Sequence, residues 1–178
     1  RRSLNMHRRH YKFFNVILLG CCFGFFTACN KPQIEAYGIP AEPPPPEGWV
    51  EMQTIGPEKI RYGVFEGDDY TGITATVTVL EGDGGGLEPN INRWRGQLGL
   101  GKIEGADLNA TLEEVPSLGK DARMVDVNGT SVRSFRESRT VGVIVPRTEL
   151  TWFYKFSGPP ANLEVHKADF LDFIQHWQ

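Results

Sequence analysis

Residues 72 to 98 read Gly-Ile-Thr-Ala-Thr-Val-Thr-Val-Leu-Glu, then Gly-Asp-Gly-Gly-Gly, then Leu-Glu-Pro-Asn-Ile-Asn-Arg-Trp-Arg-Gly-Gln-Leu. Ile73, Ala75, Val77 and Val79 alternate with Thr74, Thr76, Thr78 and Leu80, the period of two of a strand with one buried and one wetter face. The glycine run then breaks the pattern. From Glu88-Pro89-Asn90 the period changes to that of a helix, because proline suits the first helical turn and an acidic residue suits its positive end. Ile91, Trp94 and Leu98 fall on one face at i, i+3 and i+7, a face expected to pack on the sheet. A strand handing over to a helix that covers it sets the architecture.

Working outward, Ile60 to Glu66 is a second strand, joined to the first through the turn Glu66-Gly67-Asp68-Asp69. On the other side, Asp107 to Val115 is a short helix stopped by Pro116. Strands are then expected at Ala122 to Val127, Val132 to Arg136, Val141 to Val145 and Leu150 to Phe156. Asn128-Gly129 is expected to form a type I′ hairpin turn, which needs positive φ at both positions, and Pro146-Arg147 a second turn. After Gly158-Pro159-Pro160 a last helix runs from Ala161 to His176, with Leu163, Phe170, Phe173, Ile174 and Trp177 as its apolar stripe. Hairpins throughout imply a mostly antiparallel sheet flanked by helices, an α+β domain spanning about residues 49 to 178.

The N-terminal part has a different character. The chain opens with Arg1, and Met6 is the plausible start. A basic segment (His7, Arg8, Arg9, His10, Lys12) precedes the apolar residues Phe13 to Phe26 and the small residues of a cleavage site, the three parts of a secretory signal peptide over residues 1 to 28. The apolar stretch falls short of the about 20 residues a membrane span needs. Phe26-Thr27-Ala28-Cys29 resembles a bacterial lipobox, with Phe26 where Leu is usual. That resemblance implies a diacylglyceryl group on Cys29 and a lipid anchor in the bacterial cell envelope, facing the periplasm. Asn30, standing where Asp marks inner-membrane retention in enteric bacteria, favours the outer membrane. Residues 29 to 48, rich in proline, read as a tether of polyproline character.

The three cysteines are Cys21, Cys22 and Cys29, so the domain has no thiol for a disulfide, thiolate catalysis or metal binding. Of the 19 basic residues, five precede residue 29, leaving 14 against 22 acidic ones. A net charge of about −8 disfavours nucleic acid, whose binding needs clustered Lys and Arg.

Chemical motifs are sparse. The run Gly82-Asp83-Gly84-Gly85-Gly86 sits where a phosphate loop would, but it lacks both the dinucleotide and P-loop patterns, and Glu88 would repel phosphate. A connecting loop is expected. His166 and His176 lack metal-ligand spacing, and no Gly-x-Ser-x-Gly elbow is present. Neither catalytic residues, cofactor nor metal is indicated. The most concentrated polar cluster is Asn90, Arg93, Arg95 and Gln97, with Asn90, Arg93 and Gln97 expected along one exposed helix side. Arginine's fork there suits a carboxylate, a phosphate or a protein partner; the alternative is that Arg93 and Arg95 make structural bonds to Glu113, Glu114 or strand carbonyls.

With the segments at 89 to 100 and 151 to 159 in this order, the domain resembles uncharacterised bacterial lipoproteins with the Mog1/PsbP-like fold. The resemblance implies a central antiparallel sheet between helices and a non-catalytic accessory or docking module of an envelope complex. A small-anion binding protein using the Arg93 helix is the alternative, and an enzyme with dispersed residues a third.

Overall fold

The computed structural model describes residues 42 to 177. The expected signal peptide, Cys29 and the expected tether up to residue 41 lie outside the described residues. Seven strands form one sheet, and every neighbouring pair is antiparallel. They are β1 (Trp49–Glu51), β2 (Glu58–Glu66), β3 (Asp69–Glu81), β4 (Leu112–Glu114), β5 (Arg123–Thr130), β6 (Glu137–Pro146) and β7 (Leu150–Gly158). The spatial order is β1-β2-β3-β7-β6-β5-β4. Three helices complete the domain: α1 (Leu87–Gln97), α2 (Gly105–Thr111) and α3 (Pro160–Gln175).

Alternation in the strands divides the core into two layers. Ile73, Ala75 and Val77 of β3, Trp152, Tyr154 and Phe156 of β7, and Val141, Val143 and Val145 of β6 meet α3 on one face. Leu163, Phe170, Phe173 and Ile174 of α3 are all buried there, followed by Trp177. Each such side chain contributes about 1.5–3 kcal/mol relative to exposure. Phe156 stacks on Phe170 with centroids 4.8 Å apart. On the opposite face Ile91 and Trp94 of α1, Leu98 at its C-terminal end and Leu108 of α2 cover Val125, Val127, Ile144 and Phe153.

An ion network fastens α3 to the sheet. Arg139 donates to both oxygens of Asp126 at 2.7 Å, Lys167 of α3 donates to Asp126 at 2.6 Å, and Arg139 also pairs with Glu164. Burial raises the Asp126 carboxyl, but the bonds from Arg139 and Lys167 outweigh it and hold the group below the usual carboxylate range.

Several expectations need correction. Asn128-Gly129 is no turn: both residues lie inside β5, opposite Arg139 and Ser138. A Cβ on Gly129 would sit 2.5 Å from the Leu98 carbonyl, so this glycine admits the end of α1 against the strand. Val132 to Arg136, expected as a strand, is instead the turn between β5 and β6. The helix expected to reach Val115 ends at Thr111, and Leu112–Glu114 becomes an edge strand on β5. Pro116 opens a short 3₁₀ turn. The last part of the proline-rich segment leans on the domain, for Glu42 pairs with Lys59 and the Pro46 carbonyl accepts from Trp49 N at 3.1 Å.

Candidate functional site

The helix α1 covers only part of its sheet face, and the register explains where. One rung of the ladder runs Arg61 (β2), Thr76 (β3), Lys155 (β7), Gly142 (β6) and Val125 (β5). Trp94 lies over Gly142, so closely that a Cβ there would be 2.1 Å from the indole. Trp94 also meets Phe153 edge-on, at 6.5 Å and 84°. Anchored over β5 and β6, α1 leaves the β2–β3 side of the rung uncovered. The result is a half-open cleft of about 320 Å³, the size of a small-molecule site.

Its floor is Thr76, Thr78, Leu80, Phe153 and Lys155; Arg93, Trp94 and Gln97 form one wall, and Ile55, Pro57 and Glu58 the other. Lys155 donates to Gln97 Oε1 at 2.5 Å. Burial, then the charges of Arg61 and Arg93, depress the ammonium to about 8 against the opposing pull of Glu58, with Arg133 adding to the depression. Arg61 is clamped by Glu58 in a fork, with bonds of 2.8 and 2.5 Å. Arg93 donates through Nη2 to Asn90 Oδ1 at 2.6 Å and is otherwise exposed. Cations thus outnumber the one lining carboxylate, Glu58, and chemically the site suits an anion whose body rests on Leu80 and Phe153.

Of the four polar residues singled out on α1, the structure brings Arg93 and Gln97 to this cleft. Asn90 does not lie on an exposed side: it is buried, and its amide donates to the carbonyls of Gly84 and Gly86 at 3.0 and 2.6 Å. Its position four residues beyond Gly86 suits it to staple the glycine loop, a local signal for that role. Arg95 turns away and donates to the Gly101 carbonyl at 2.9 Å. Among the described residues Glu114 faces Arg123 instead, at 3.7 Å, so in place of Glu113, Glu114 or strand carbonyls Arg93 takes the Asn90 side chain and Arg95 a loop carbonyl.

The glycine loop itself is a connector. Asp83 accepts from the amides of Gly85 and Gly86, and a Cβ on Gly84 would lie 2.5 Å from the Phe153 ring. Neither Lys155 in the site nor Arg61 beside it was foreseen. The available signal was a lone cation in the aromatic strand Trp152-Phe153-Tyr154-Lys155-Phe156, on the face opposite Tyr154.

No protein-family model matches the chain, and no curated protein does. Among solved structures, a protein from Bacteroides thetaiotaomicron is similar at 12% identity and a TM-score of 0.40, over 65% of this chain and 37% of that one. A protein of unknown function from Pseudomonas aeruginosa is similar at 14% identity and a TM-score of 0.35, over 71% and 78% of the two chains. This chain therefore spans little more than a third of the Bacteroides protein.

Proposed function

We propose that the domain binds a small organic anion in the cleft beneath α1, as the globular part of a lipid-anchored envelope protein with a Mog1/PsbP-like fold. The observation that supports it is that Lys155 and Arg93 both line a cavity whose floor includes Leu80 and Phe153, against Glu58 as the one lining carboxylate, itself held by Arg61. An incoming carboxylate or phosphate replaces Gln97 as the partner of Lys155 and takes the free edge of the Arg93 guanidinium.

Calorimetric titration of the full chain with inorganic phosphate, succinate and benzoate tests this. Saturable binding is expected for at least one anion, weakening with salt. Arg93→Ala and Lys155→Met should each lower affinity at least about tenfold, or about 1.4 kcal/mol. If none of the three anions binds, or both variants bind like the parent, the proposal fails.

A further inference from the structure

Beside the cleft, the turn of residues 131 to 136 carries the most exposed large apolar side chain among the described residues: Phe135, at 82%, with Val132 at 53%. Exposed loops ordinarily hold polar side chains, and an aromatic in water loses its burial gain. The backbone also fixes it there. Phe135 is the one non-glycine residue of positive φ among the described residues, at 55°, a conformation that favours glycine or asparagine.

That conformation is held by a dense set of bonds. The Ser131 amide donates to the Arg136 carbonyl at 2.9 Å and the Phe135 amide to the Ser131 carbonyl at 2.8 Å. The Ser131 hydroxyl oxygen accepts from the amides of Arg133 and Ser134, at 3.3 and 3.2 Å. Outside the turn, Val132 N donates to the Gln97 carbonyl and Thr130 N to the Leu98 carbonyl, so the turn is fixed to the end of α1. A strained residue persists where its surroundings determine it, and here they aim a phenyl ring outward.

Arg133 and Arg136 belong to the same turn, both exposed, on a domain whose net charge is acidic. We infer that this tip seats on an anionic lipid surface, with Phe135 and Val132 at the acyl boundary and the two arginines on headgroup phosphates. Charge and shape select this occupant. A stable protein interface needs about 800 Å² per partner, more than a convex tip with two apolar side chains offers. A fluid bilayer closes around a protrusion and adds electrostatic attraction for each cation near it. The acidic turn Glu66 to Asp69 lies at the same end of the sheet, on the far side of β7, so its repulsion tilts the contact towards the β5 edge.

The test is depth-resolved fluorescence on the full chain. Phe135→Trp, which keeps an aromatic at this exposed site, is compared with the parent and with Val165→Trp, exposed on α3. Each is mixed with brominated vesicles of phosphatidylglycerol and phosphatidylcholine in equal parts, or of phosphatidylcholine alone. Emission from the indole introduced by Phe135→Trp should shift to the blue and be quenched on the anionic vesicles, while the indole of Val165→Trp stays solvent-like. Arg133→Gln with Arg136→Gln should reduce tip partitioning roughly 30-fold. A solvent-like indole in Phe135→Trp on anionic vesicles overturns the inference. So does equal quenching on both lipids, or a concentration-dependent shift without vesicles, which would assign the tip to a second copy of the chain. These readouts are independent of anion titration in the cleft, so either proposal can fail alone.

Discussion

Lys155 combines a cost and a use in one side chain. Its ammonium is depressed from 10.5 to about 8, so the unfolded chain holds this proton more tightly than the folded one. The folded state therefore loses stability as pH falls from about 10.5 through about 8, and bears the full penalty at neutral pH. Lys155→Met should raise stability by about 1–2 kcal/mol at pH 7, after allowing for solvent screening. The gain should shrink towards zero above about pH 10.5, where both states of the parent are uncharged. Urea denaturation of parent and variant at the two pH values measures it. A loss of stability at pH 7 would show that the bond to Gln97 outweighs desolvation. An anion in the cleft restores the favourable charge environment, so affinity for it should be greatest below pH 8.

At the scale of elements, the seat of α1 decides whether a cleft exists. Gly142 is the empty place in β6 that receives Trp94, and no other residue type fits under the indole. Gly142→Ala should destabilise the domain by about 3 kcal/mol and alter the near-ultraviolet dichroism of Trp94. A second change, Trp94→Phe, should recover part of the loss by returning space. If Gly142→Ala is neutral and keeps the spectrum, α1 is not seated as described. The periodicity of residues 88 to 98 foretold which side of α1 is buried, as Ile91, Trp94 and Leu98 confirm. It could not foretell the rung on which Trp94 lands. Asn128-Gly129 shows the same limit from the other direction: the dipeptide favours a tight turn, but packing of Leu98 on Gly129 rewards continuing the strand, and Ser131 then caps the turn.

For the whole molecule, the anchor is the broadest expectation, and it concerns Cys29, outside the described residues. In a bacterial host, the wild-type chain should gain a diacylglyceryl mass and sediment with membranes, and Cys29→Ser should do neither. Intact-mass analysis beside membrane fractionation reads both; identical soluble products would remove the anchor while leaving the cleft chemistry unaffected. Among the described residues, no helix is long and apolar enough to cross a membrane. The sequence by itself determined the α+β class, the antiparallel hairpins at Glu66 to Asp69 and around Pro146-Arg147, and the apolar stripes of α1 and α3. These follow from patterns of two and 3.6 residues and from local turn chemistry, which neighbouring residues fully express. Only the tertiary structure decided that Arg61, Thr76, Lys155 and Gly142 share one rung, that Asn90 is a buried staple while Arg93 faces a cleft, and that Phe135 points outward. Those outcomes depend on strand order and register between segments up to about eighty residues apart, and no local period carries that information.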